Sequence, residues 1–343
     1  MEETNRYIGE GIHIRVYGSG PPLVLFHPSP NSGKMFHGFA SQLSKNYLVL
    51  CPDTPGYGES TREVSDKPTM TDYAKIFESF FSSIGLAKIS IYGSATGAQL
   101  AIRYGILYPD KVEHLYLDNC AHFTDEERLK IFEEYFPDFT PKSDGSHITG
   151  IWNLVLNLFQ YFPWCFQSEE YKLSSPMPPV EVLNTIALDY LVAGKNYDKA
   201  YKAAFEHEKV ENIQKLKVPS TILRWHGSIL AKYTDRIFNY DLPSNIGFEY
   251  ISASTSKRYE EMYNIIANHS SKAEEGTFNT SILSPNNSKQ KETETLIKKL
   301  GDPPSPDISG SHLMSAWRRV KEFSPDEGPE KIQKKIIHWY GHQ

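Results

Sequence analysis

The chain has 343 residues, 39% hydrophobic and 13% aromatic, which is enough to bury a sizeable core in one large domain or two modest ones. Its formal charge of −6 comes without a basic stripe, so nucleic acid is not an expected partner. Three cysteines, Cys51, Cys120 and Cys165, are too few and too scattered for a disulfide framework or a zinc site, and they point to a reducing compartment.

The first six residues are acidic and polar and lack the apolar stretch of a secretory signal. The most apolar segment, 151–166, is broken by Asn153, Asn157, Gln160 and Pro163 and is too short to span a bilayer. A cytoplasmic protein without membrane association is expected. Residues 11–17 alternate as a strand does, a Gly-Pro turn follows, and Leu23-Val24-Leu25-Phe26 is a continuous apolar run suited to a buried strand. These two strands are expected to open the sheet side by side. After His27-Pro28-Ser29-Pro30 comes a helical pattern around Phe36, Phe39 and Leu43, then the buried strand 47–51 and the loop Asp53-Thr54-Pro55-Gly56-Tyr57-Gly58-Glu59-Ser60. Residues 73–84 read as an amphipathic helix.

A β-branched run then ends in Gly93-Ser94-Ala95-Thr96-Gly97, and 97–108 reads as a helix. Strand, sharp turn and helix in this order resemble the nucleophile elbow of α/β-hydrolases, G-x-nucleophile-x-G, in which two glycines let the backbone pass close to itself. His27-Pro28 resembles that family's His-Gly, and Asp53-x-Pro55-Gly56-x-Gly58-x-Ser60 resembles its D-x-P-G-x-G-x-S loop. Three motifs in the right order imply an α/β-hydrolase fold, with a mostly parallel central sheet flanked by helices and an inserted helical lid. The central elbow position is Ala95, whose methyl group can neither attack a carbonyl nor be deprotonated. A register placing Thr96 there would lose the glycine pair.

Strand 112–117 ends at Asp118. The resemblance then implies core over 1–122, lid over 123–210 and core again over 211–268, with strands near 219–228 and 247–252 and a closing helix over 259–266. The lid segment is rich in aromatics, expected mainly to pack on one another. From 269 to 343 the chain reads as a polar linker with a short helix at 292–300. A helical extension follows, in which Gly310-Ser311-His312 and Trp317 repeat the pattern of Gly145-Ser146-His147 and Trp152.

Triad chemistry needs a nucleophile, a base and a carboxylate to orient the base. The resemblance implies an acid after the next-to-last strand, where the chain has Trp225-His226-Gly227-Ser228, or after the strand that follows the elbow helix, where Asp118 stands. It implies a base just past the last strand, and 252–258 contains no histidine. An oxyanion hole could survive, with the Thr96 N–H and Ser29 as the second donor, because Pro28 and Pro30 have no N–H. His147, His226, His122 and His27 are the remaining proton-transfer candidates, with His27 and Trp152 also placed as substrate-binding residues. No metal spacing, P-loop or dinucleotide fingerprint is present, and no cofactor is expected.

Three readings follow. The leading one is an enzyme that acts on a small apolar carbonyl compound by acid–base and oxyanion chemistry with no covalent nucleophile. The others are a non-catalytic small-molecule binder or receptor, and an ester hydrolase whose nucleophile has been exchanged for alanine. The partner expected is a small molecule, and the oligomeric state is open.

Overall fold

The computed structural model describes residues 5–142, 145–269, 279 and 281–285. Strands β1 (Asn5–Gly9) and β2 (Ile12–Tyr17) form an antiparallel hairpin over Glu10 and Gly11, both at positive φ (49° and 77°). A type I′ hairpin turn takes that sign at both central positions. β3 (Pro22–Phe26) and β4 (Leu48–Pro52), connected through α1 (His37–Leu43), are buried along their whole length. Continuous apolar runs suit parallel strands covered on both faces.

α2 (Met70–Ser83) begins a turn earlier than its apolar periodicity suggests. A capping box sets the start: the Asp72 N–H donates to the Thr69 hydroxyl, and the Asp72 carboxylate accepts from the Thr69 N–H. β5 (Ile89–Ser94) passes into α3 (Thr96–Leu107) through Ala95 alone, and β6 (Val112–Asp118) follows. Then come α4 (Asp125–Glu134), α5 (Ser146–Leu158), α6 (Val180–Ala193), α7 (Lys199–His207) and α8 (Val210–Ile213). β7 (Ser220–Trp225), α9 (Ala231–Asp235), β8 (Ile246–Ile251), α10 (Thr255–His269) and β9 (Ser284–Pro285) complete the described chain.

The sheet order is β8-β7-β6-β5-β3-β4-β2-β1-β9. β2 pairs with β1 and β4, while β3 lies between β4 and β5, so the two opening strands expected side by side are not neighbours. The parallel strands β4-β3-β5-β6-β7-β8 carry the helices, and the antiparallel β2, β1 and β9 extend one side. On one face of the sheet, Leu23, Leu25 and Tyr92 form a single core with Phe39 of α1 and with Met262 and Ile266 of α10. Towards α2, the rings of Phe26 and Phe77 meet at 4.8 Å, and Phe77 stacks on Phe81.

The chain divides into two compact units. One holds the residues up to Leu129 and those from Asp198 through β9; the other runs from Lys130 to Tyr197. The second unit is shorter than the 123–210 segment expected as lid, because α7 packs on α2 and α3 and α8 on α3. Within it α5 packs on α6, and its aromatics largely meet each other: Tyr135 with Trp164 at 5.7 Å, Phe139 with Tyr197 at 5.2 Å, Tyr190 with Tyr197 at 5.5 Å. The helix expected at 292–300 and the repeat at 310–317 lie outside the described residues. No helix among the described residues is long and apolar enough to cross a membrane.

Candidate functional site

Ala95 sits between β5 and α3 at φ 49° and ψ −112°. A residue with a Cβ occupies such a region only where its surroundings enforce it, at a cost of about 1–3 kcal/mol. Its N–H donates to the Asp118 carbonyl at 3.0 Å, and its own carbonyl accepts from the Ala98 and Gln99 N–H groups at 2.8 and 3.1 Å. A Cβ on Gly93 would collide with the Gly97 carbonyl oxygen, and one on Gly97 with that of Phe26. Strand, turn and helix therefore pack backbone to backbone, and only a methyl group stands at the apex.

Asp118 closes β6 and is wholly buried. Its Oδ2 accepts from the Tyr92 hydroxyl (2.6 Å), the Ser94 hydroxyl (3.3 Å), Asn119 Nδ2 (3.2 Å) and Arg258 Nη2, while Oδ1 has no partner. Ser94, the hydroxyl preceding Ala95, is thus tied to the acid and also accepts from Asn119 Nδ2 at 3.0 Å.

Arg258 comes from the first turn of α10, just past β8. It makes with Asp118 the contact that triad geometry reserves for an imidazole. Its guanidinium carbon stands 4.0 Å from the centre of the Trp225 ring. Burial opposes its charge, but Asp118 outweighs that and raises its pKa above even the ordinary arginine value. A guanidinium that keeps its proton cannot take one from a nucleophile. Its Nε is buried without a partner, and Nη1 makes no hydrogen bond among the described residues. Arg258 lies within 252–258, the stretch in which the family resemblance implies an imidazole. The available signal was the pairing of a lone strand-end acid with a cation just beyond the last strand.

Ser29 and Thr96 do meet, although not as two free donors. The Ser29 N–H donates to Thr96 Oγ1 at 3.3 Å, and the Ser29 hydroxyl accepts from Tyr57 at 3.0 Å. The expected second oxyanion donor is therefore already engaged. Thr96 keeps two hydrogens to offer: its N–H, which at the first residue of α3 has no intrahelical acceptor, and its hydroxyl hydrogen.

The histidines are placed elsewhere. His27 is buried with both ring nitrogens engaged: Nδ1 pairs with the Pro28 carbonyl at 2.9 Å and Nε2 accepts from the Thr54 N–H at 2.9 Å. Burial lowers its pKa, and it serves as a neutral tie between two loops with no ring nitrogen left for a ligand, contrary to the expectation that it binds substrate. His226 is exposed, its ring 5.9 Å from that of Tyr250. His122 accepts from the Val210 N–H at 3.2 Å and meets the Tyr240 hydroxyl at 3.1 Å. His147 and Trp152 lie on α5 of the second unit, where His147 Nδ1 accepts from the Lys142 N–H at 3.1 Å. No histidine bonds Asp118 among the described residues.

Asp53 organises the loop below the site. Its carboxylate accepts from Arg15 (2.7 Å) and the N–H groups of Gly33 (2.8 Å) and Glu59 (2.9 Å), and pairs with His13 (3.0 Å). Burial would push its pKa up, but Arg15 and His13 outweigh it and hold the carboxyl well below the usual range. His13, Asp53 and Glu59 are close enough to chelate an ion, yet Arg15 bonds both carboxylates and Arg6 bonds Glu59, so the cluster already balances its charge.

Comparison with known proteins agrees with this fold. A family model described as alpha/beta hydrolase fold matches residues 21–155, from β3 to α5. A soluble epoxide hydrolase of Corynebacterium is 31% identical over 112 residues, 32% of this chain and 38% of that protein. An uncharacterised protein of Mycobacterium tuberculosis is 25% identical over 116 residues, 34% of each chain. The chain thus spans about a third of the length of the curated relatives it matches. An epoxide hydrolase from an endophytic Streptomyces superposes with a TM-score of 0.60 at 13% identity, covering 78% of this chain and 96% of that one.

Proposed function

We propose that this chain, which has the α/β-hydrolase fold, binds a small carbonyl-containing molecule at its elbow and does not hydrolyse it. The observation that carries this reading is Arg258 on the Asp118 carboxylate, a group unable to accept a proton standing where hydrolysis needs a base. With Ala95 at the apex, neither partner of a nucleophile–base pair stands there among the described residues. What remains is a means of holding a carbonyl oxygen, the N–H and hydroxyl of Thr96 at the start of α3. Exchange of a serine for alanine alone would not account for Arg258, which disfavours an ordinary hydrolase disabled at one position.

A fluorophosphonate probe should label neither the wild type nor Ala95→Ser, and an aryl ester panel should not be turned over by either. A bound ligand should raise the melting temperature and be recovered unchanged. Turnover by the wild type that is lost in His147→Ala or His226→Ala would replace this reading with the acid–base one. Labelling of Ala95→Ser would show that a base does reach the elbow, and the binding reading would fall.

A further inference from the structure

The binding reading leaves open what holds the rest of the ligand, and Arg258 has a part of its side chain unused. Only Nη2 engages Asp118. Nη1 carries no hydrogen bond among the described residues, and the side chain keeps 18% of its surface exposed. The plane of the guanidinium is fixed, because one face lies on Trp225 at 4.0 Å and one corner is held by Asp118. Asp118 is in turn set against the elbow by the bond from the Ala95 N–H to its carbonyl.

We propose that Arg258 makes this a carboxylate-binding site, with the ligand's carboxylate accepting from Nη1. The inference rests on the binding reading. Planar guanidinium edges match planar carboxylates, and a fixed plane lowers the entropy lost when the bond forms. A carboxylate is the class that fits. Asp118 already offsets much of the cation's charge, so the planar match to the guanidinium, and not a surplus of positive charge, selects the ligand.

Phenylglyoxal condensation with arginine, mapped by peptide mass spectrometry on the wild-type chain, tests this directly. Arg258 should be modified, and benzoate at about twice a millimolar-range Kd should slow the reaction about threefold while benzamide at equal concentration leaves it unchanged. If benzoate raises the melting temperature of the wild type and of Arg258→Met by the same amount, the carboxylate is held elsewhere and the proposal is wrong. Modification that benzoate does not slow, or that benzamide slows equally, also overturns it. The ester and fluorophosphonate assays are read separately, so failure here leaves the binding reading standing. Labelling at the elbow would remove the binding reading whatever phenylglyoxal shows.

Discussion

A methyl group at φ 49° is an expensive way to fill a turn that holds no reagent. Glycine adopts that conformation freely, whereas alanine does so at about 1–3 kcal/mol, against which glycine loses about 0.4–1 kcal/mol through the greater freedom of the unfolded chain. Ala95→Gly should therefore stabilise the protein by about 1 kcal/mol, read as a higher urea midpoint at unchanged slope. A drop in midpoint would mean that the Ala95 methyl makes packing contacts worth more than the strain. The glycine pair and the alanine between them were legible in the sequence because a motif is local. The partner of Asp118 was not, since Arg258 lies 140 residues further along and only folding brings it there.

Between elements, the Asp118–Arg258 pair fastens the end of β6 to the first turn of α10. Removing one member of a buried pair leaves the other charged and uncompensated. Arg258→Met should cost about 3 kcal/mol, and Asp118→Asn in the same chain should recover part of it. The double-mutant cycle in chemical denaturation checks this; additive losses would mean that the two side chains do not sense each other. Strand and helix identities in the core followed from apolar period, but strand neighbours did not. The run 23–26 and the run 11–17 both read as strands, yet nothing local says that β4 comes to lie between them. β1 is not legible in the sequence because it offers neither an apolar run nor a clean alternation, and its pairing comes from the turn at Glu10 and Gly11.

Over the whole molecule, two neighbouring groups at the end of α7, Glu208 and His207, set opposing responses to pH. Burial, opposed in part by Arg128, pushes the Glu208 carboxyl up from 4.5 to about 8. Its folded pKa lies above the unfolded one, so the stability it contributes is complete below 4.5 and is lost as pH rises through about 8. Glu208→Gln should flatten the fall in melting temperature on the alkaline side; an unchanged fall would place its cause elsewhere. Burial lowers His207 from 6.5 to about 3, with Nδ1 paired to Gln99 Oε1 at 3.0 Å. That contribution is present above 6.5 and is lost as pH falls through about 3. Melting curves should therefore peak at about pH 5–7. Neither group was visible from sequence, because burial of Glu208 depends on where α7 ends rather than on any motif.

Among the described residues the sheet ends, on the β1 side, at Ser284 and Pro285, which lie opposite Ile8 and Tyr7. Proline has no hydrogen to lend outward, so a stray strand approaching that rim is refused a rung of the ladder. Among the described residues the opposite rim, β8, has no such stopper, and Gly247, Glu249 and Tyr250 face solvent there. If denaturation leads to clumping, the first molecules to join should do so through that unguarded border, with the carboxylate of Glu249 as its main deterrent.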